Sequence, residues 1–282
     1  MRKATDFALA GFAAICAAFA LAVLVGLVVV VAGRGASALD VSFLTGEMQR
    51  AGAAGGIFWH LVGTAILLVS AFLICTPFAL GLALVERVWW PGERGRRFLR
   101  TALYTLNGLP SILFGIFGFI VLVQWCGWGK SWLIGGIVLA MCMLPTVTLA
   151  LVERLRAIPA RYLEAAAALG LDRAQIIRAV LLPQAWGGLI SGSLLGLARA
   201  AGETAPIMFT CTIFAGATWP QGIKDNPVLT LPYHIFILAQ DSFDPAVGAR
   251  LWGAAFVLLA LVFLLSLLAL PWRLRHHEEA DV

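Results

Sequence analysis

Charged side chains are scarce in this 282-residue sequence. Asp, Glu, Lys and Arg make up 12% of it, about half the share of a soluble domain. That scarcity excludes an ordinary soluble protein. Strands of about ten residues with alternating polarity are also absent, which excludes a membrane β-barrel. Cysteine is sparse as well: Cys16, Cys75, Cys126, Cys142 and Cys211 are scattered, mostly in apolar runs, and no two have CxxC spacing. A disulfide framework and a cysteine metal site are thereby set aside, and the thiols read as small buried hydrophobes. No complete phosphate-binding loop occurs. Gly129-Lys130-Ser131 ends like one, but the glycine it needs five positions earlier is Gln124.

What fills the chain is apolar. Hydrophobic residues make up 61%, mean hydropathy is +0.93, and apolar runs longer than about 18 residues recur throughout. The fold class expected is all-α: a polytopic membrane protein with six transmembrane helices. The spans expected are Phe7–Ala32, Ile57–Val85, Leu103–Gln124, Trp132–Val152, Gly187–Phe214 and Leu251–Trp272. Phe7–Ala32 is too long for a secretory signal core of about 7–15 residues, although Ala36-Ser37-Ala38 resembles a cleavage site. It reads as an uncleaved first span.

A pI near 9.2 does not require nucleic acid, because basic residues of membrane proteins collect in cytoplasmic loops. One side holds Arg2, Lys3, Arg87, Arg94, Arg96, Arg97, Arg100, Arg154, Arg156, Arg161, Arg173, Arg178, Arg273 and Arg275. The other holds only Arg34, Arg50, Lys130, Lys224 and Arg250, with Arg199 left inside the membrane. This bias places both termini in the cytoplasm. The outward loop Ala215–Arg250 contains an aromatic, amphiphilic stretch, Leu229–Leu238, expected as a short helix lying on the membrane surface or as a docking face for an outside partner.

Between spans four and five lies a polar segment with helix–turn–helix grammar. Pro159 suits a first turn, Gly170 a left-handed position past a helix end, and Asp172 with Gln175 a capping box. Pro183 is expected to close the second helix. Ala165–Ala168 offers only methyl groups, so a partner's backbone could approach closely, with Arg173 and Arg178 at its flanks.

The spacing Glu164-Ala165-Ala166, Gly170, Val180-Leu181-Leu182-Pro183 resembles the EAA motif of ABC importer permeases, with Val in place of Ile. The resemblance implies a coupling element seated in a groove of a separate ATPase subunit, with Glu164, Ala165, Ala166, Gly170 and Pro183 in it. It also implies that this chain is no enzyme and hydrolyses no ATP itself.

Gly188, Gly192, Gly196 and Ala200 recur every fourth residue, a ridge for close packing of membrane helices. At about 100° per residue, Arg199 falls near 20° and Glu203 near 60° from Gly188. Both charges are therefore expected on the ridge face, pointing into protein. A mid-membrane arginine costs on the order of 3 kcal/mol and needs a partner, which Glu203 at i+4 can supply. A structural salt bridge and an anion-selective constriction both fit. In the second, the planar donor fork of Arg199 receives an oxyanion, Thr204 adds a hydroxyl and Pro206 kinks the helix. Asn107 and Ser111, near Gly108 and Pro110 at the start of span three, are candidate path-lining donors. His60 reads as an interfacial anchor, and His276-His277-Glu278-Glu279 as a solvated tail.

The run from Ala198 to Thr210, together with Gly108-Leu109-Pro110-Ser111, Phe114–Gly118 and Leu231–Phe236, is similar to the A-type (PstA-type) permeases of phosphate-specific ABC importers, over roughly Phe58–Trp272. The resemblance implies a type I (MetI-like) permease fold in a bacterial inner membrane. It further implies phosphate as cargo, a second permease subunit (PstC-type), two ATPase subunits (PstB-type) and a periplasmic phosphate-binding protein (PstS-type). The expected division is a first span and outward loop over 1–56 and a permease domain over 57–282, with the coupling segment at about 153–186. The expected site residues are Arg199, Glu203, Thr204, Asn107 and Ser111. No catalytic residue, metal, cofactor or nucleic acid is called for; lipid surrounds the chain. Molybdate or sulfate as cargo, a stand-alone secondary transporter, and a non-transporting membrane scaffold or sensor are the alternatives.

Overall fold

A computed structural model of the chain describes residues 2–90, 92–216, 218–241 and 244–278, with side chains described from 9 to 271. The tail His276–Glu279 and the flanking Arg2, Lys3, Arg273 and Arg275 therefore lie outside the described side chains.

Apolar runs build long helices. The first, α1 (Arg2–Gly35), leads to a short helix α2 (Val41–Thr45) and a small hairpin, β1 (Met48–Gln49) with β2 (Ala54–Gly55). α3 (Phe58–Val88) precedes α4 (Glu93–Gly108), α5 (Ser111–Gly118), the wide π turn Phe119–Trp125 and α6 (Trp132–Ala157). α7 (Ala160–Ala168) and α8 (Arg173–Ile176) follow, then a second π turn (Ile177–Leu181) and α9 (Leu182–Ala201). α10 (Ala205–Thr210), α11 (Leu231–Gln240) and α12 (Pro245–Glu278) complete the chain. Among the described residues, five helical segments are long and apolar enough to cross a membrane, and the bent pair α4–α5 makes a sixth span if counted as one.

The core lies where α3, α6, α9 and α12 pack together, around Leu67, Leu139, Met143, Leu151 and Leu181. α1 stands outside it. It meets α12 toward its C-terminal end, where Gly35 lets the backbones approach and Arg34 lies over the Trp252 ring. Leu9, Phe12, Ile15 and Phe19 are exposed, as befits a helix that faces lipid. Cys75, Cys142 and Cys211 are buried, whereas Cys16 on α1 and Cys126 in a loop are exposed. The expectation of five buried thiols therefore fails for two.

Three expected elements differ. Span three is not one rod: α4 and α5 meet at 90°. Pro110 has no N–H to donate and forces Leu109 into an extended conformation (ψ 138°), so the helix cannot pass Gly108. Span five begins earlier and ends earlier than expected. Arg173–Ala201 is continuous, and Pro183 lies inside it instead of closing a helix. The π turn just before Pro183 loosens the ladder, and Pro183 then occupies a first-turn position, where no N–H is needed. The rod stops at Ala201 because Pro206 cannot continue it. Gly202 and Glu203 turn back to the carbonyls of Arg199 and Ala200, at 3.1 Å each, and α10 starts afresh.

The stretch expected to lie on the membrane surface is instead packed inside. In α11, Leu231, Pro232, His234 and Leu238 are buried against α3 and α12, and the Leu231 N–H donates to Thr64 Oγ1 at 3.0 Å. His60 is likewise no surface anchor. It is 2% exposed, with its ring centroid 4.0 Å from that of His234. Burial lowers the His234 pKa to about 4.

Candidate functional site

Glycines bring the elements of the candidate path together. A Cβ on Gly115 would lie 2.7 Å from the Pro206 Cα, and one on Gly118 would lie 2.5 Å from Val138. α5 can therefore sit against α10 almost backbone to backbone. The glycine row of α9 does the same against α6: Gly188 faces Arg154 and Ala150, Gly192 faces Ala150 and Val147, and Gly196 faces Val147 and Met143.

At the far end of α9, Arg199 bridges two elements. Its Nη1 donates to Asn107 Oδ1 at 2.6 Å, and its Nε lies 3.6 Å from Glu203 Oε1. Asn107 ends α4 at the bend, and Glu203 sits in the break between α9 and α10. Three of the five sequence-predicted path residues thus converge. Ser111 starts α5 and Thr204 precedes α10, but neither bonds to the pair. Among the described charges, the group balances to neutral: one guanidinium, one carboxylate and an amide.

Arg199 does not share the buried ridge. Its side chain is 38% exposed in this subunit, against 16% for Glu203. A row of every fourth residue winds about 40° per step, so by Ala200 the packed face has turned some 120° from Gly188. Arg199, near 20°, is left at its edge. An exposed arginine on a membrane helix needs a second surface or a wet path beside it.

At the opposite end, the capping chemistry of the polar segment forms as its residues dictate. Pro159 stands one residue before α7 (φ −58°, ψ 139°). Gly170 adopts φ +76°, its N–H reaching Ala167 O and that of Leu171 reaching Ala166 O, a Schellman closure. Asp172 and Gln175 exchange two 2.8 Å bonds. Ala166 is buried at 4%, while Glu164, Ala165, Ala167, Ala168 and Pro183 face outward. Sequence reading missed Leu169. At 81% exposure it stands with Tyr162 and Ala165 on one outward apolar row. A leucine directly before the αL glycine was the available signal, since the turn throws that side chain off the helix.

Lys130, already set aside as a nucleotide ligand, donates to the carbonyls of Met208 (3.2 Å) and Thr212 (3.4 Å). It fixes the loop before α6 to the C-terminal end of α10, where a cation suits the helix dipole.

Comparison with known proteins places this geometry in a family. The family model described as "Binding-protein-dependent transport system inner membrane component" matches residues 76–272. The probable ABC transporter permease protein YqgI of Bacillus subtilis is 30% identical over 279 residues, 95% of each chain. The phosphate transport system permease protein PstA 2 of Mycobacterium bovis is 32% identical over 260 residues, covering 90% of this chain and 82% of that one. PstA of Xylella fastidiosa (strain 9a5c) is 34% identical over 236 residues, covering 81% and 77%. The matches to YqgI and PstA 2, at 95% and 90% of this chain, reach past Phe58 into the first span, further than the motifs alone carried the resemblance. The inward-facing MetNI methionine ABC transporter shares the fold, with a TM-score of 0.60 over 76% of this chain and 94% of its own at 17% identity. With a family model spanning most of the chain and full-length relatives at 30% identity or more, this protein belongs to the inner-membrane components of binding-protein-dependent ABC transport systems.

Proposed function

We propose that the chain is the A-type permease of an ATP-driven phosphate importer in a bacterial inner membrane. It forms half of the translocation path and hydrolyses no ATP itself. The observation that carries this reading is Arg199, held by Asn107 and Glu203 yet 38% exposed at the face of its subunit. A cation needs no such opening if its only role is an internal salt bridge. The relatives named as phosphate transport permeases support phosphate as the cargo.

In this reading Arg199 offers its fork to the oxyanion. Glu203 keeps the empty site neutral, Asn107 aims the guanidinium, and the hydroxyls of Thr204 and Ser111 serve on either side of it. The partners are a C-type permease facing Arg199, two ATPase subunits and a periplasmic phosphate-binding protein. One ATPase seats on Glu164, Ala165, Ala166 and Gly170, with Tyr162 and Leu169 as apolar knobs; Pro183 lies at the neck of that segment. Residues 57–282 are the permease domain, with the coupling segment at about 153–186. Residues 1–56, the first span and outward loop, are an accessory unit.

The test is ATP-dependent [32P]phosphate uptake into proteoliposomes holding the co-purified complex, with sulfate and molybdate as competitors. Phosphate-selective uptake that Arg199→Gln abolishes, with the ATPase still co-purifying, is the expected result. Selective uptake of sulfate or molybdate would replace the cargo, and uptake without ATP would remove the importer reading.

A further inference from the structure

The cytoplasmic necks of the polar segment are held by side chains far away in sequence. At the entry, Ile158 leaves α6 in an extended conformation (φ −67°, ψ 118°) because Pro159 follows it. Its carbonyl accepts from Arg87 Nη2 of α3 at 3.2 Å. Two residues back, Arg156 pairs with Glu86, the neighbour of Arg87 on the last turn of α3. Glu86 is 1% exposed, and burying a carboxylate that deep is costly without a partner in place. At the exit, Arg154 Nε donates to Gln184 O at 3.1 Å, one residue past Pro183. The stem of Arg154 lies over Gly188, where a Cβ would come within 2.7 Å of it.

Both necks are therefore tied to α3 and α6 through charge-assisted bonds, which are short-ranged and directional. A hinge at either neck would let α7 move without the spans. We infer that Glu86, with Arg87, Arg154 and Arg156, is a yoke that makes the docking segment, α3, α6 and α9 one rigid lever, and that Glu86 is its positioning residue. The inference rests on the proposed seating of an ATPase on α7 and deepens it, by assigning how a push there reaches Arg199. Glu86 touches neither cargo nor nucleotide. Its role is to keep Arg156 and the α6–α7 junction from slipping relative to α3.

The test uses the reconstituted full complex and measures two quantities on the same vesicles: ATP hydrolysed and [32P]phosphate taken up. Glu86→Gln and Arg87→Met are expected to lower phosphate moved per ATP by roughly tenfold, within the range reached by residues that carry coupling, while hydrolysis continues. Because Glu86→Gln leaves the Arg156 charge without its carboxylate, Glu86→Gln/Arg156→Met is measured beside them, with no charge left stranded. A ratio that stays low in the assembled double variant supports the yoke. Recovery of the ratio in the double variant would reduce Glu86 to charge satisfaction and overturn it. Single variants with a wild-type ratio, or a double variant that fails to assemble, would overturn it as well. Wild-type vesicles without ATP-driven uptake would sink the underlying importer reading instead, a result distinguishable from all of these.

Discussion

Replacing Asn107 with Asp changes charge at the site while keeping shape. Asn107 Oδ1 lies 2.6 Å from Arg199 Nη1, so the variant's carboxylate enters the same hydrogen bond and the local balance moves from neutral to one negative charge. An oxyanion on the Arg199 fork then meets a second carboxylate at about 4 Å, which costs about 1 kcal/mol in watery surroundings and about 4 kcal/mol at an effective dielectric of 20. Since Arg199 is 38% exposed, the lower half of that range applies. About 1–2.5 kcal/mol corresponds to a five- to seventyfold weaker interaction. Proteoliposome uptake should therefore show KM for phosphate raised by at least about fivefold, with the ATPase still co-purifying. Asn107→Leu, which removes the bond but adds no charge, should fall between Asp and wild type. A KM for Asn107→Asp within twofold of wild type would refute an anion path at Arg199, because the two side chains differ there in little but charge.

Gly170 has open space where a Cβ would go and a φ of +76°, so Gly170→Ala should cost only the left-handed strain of about 1–2 kcal/mol. Gly170→Val should cost more, and both should weaken ATPase co-purification in that order; equal pull-down by all three would dissociate the turn from docking. Leu169→Asp, at an 81% exposed position, should leave melting of the isolated chain within about 0.5 kcal/mol of wild type while reducing ATPase binding, as read by pull-down. Gly115→Leu should drive α5 off α10 at about 1–3 kcal/mol or more, since the Pro206 Cα already lies 2.7 Å from a Cβ there; an unchanged melting temperature would contradict that packing. His234 is held neutral by burial, its pKa falling from 6.5 to about 4. The unfolded chain therefore binds the extra proton, and stability should decline as pH drops from about 6.5 toward 4. That decline, followed by thermal melting in detergent, should be smaller in His234→Gln.

Local chemistry was legible in the sequence wherever its residues are neighbours. Gly170 takes its positive φ, and Asp172 and Gln175 close their box, because each needs only a few adjacent side chains. The apolar runs likewise set the helical membrane class. What stayed hidden depends on how helices cross. Arg199 reads as ridge-facing on a straight projection, but the packed face of α9 turns along its length and leaves that side chain at the edge. Pro183 reads as a stop, yet the π turn ahead of it lets the rod run through. Leu229–Leu238 reads as amphiphilic surface, yet Leu231, Pro232, His234 and Leu238 find cover once α3 and α12 come together, while Phe236 stays exposed. Glu86 and Arg156, 70 residues apart, carry no mutual signal at all. Asn107 could be named as a donor near a bend, but not as the acceptor that receives Arg199.

If Arg199 receives an oxyanion as proposed, the end of α9 bears on how long that oxyanion remains there. Arg199 occupies the last turn of that helix, where the helix dipole places roughly half a negative charge, and Glu203 adds a full one just beyond. The guanidinium is thus offset before any cargo arrives. A lone arginine in a dry membrane would act as a trap, and its occupant would leave slowly. With its field already answered by the helix end and Glu203, this one makes a shallow well, suited to short dwell times and to handing its occupant onward in either direction until something else sets the direction. Under the proposed reading, directionality comes from outside the site, from whatever drives the other end of the same rod.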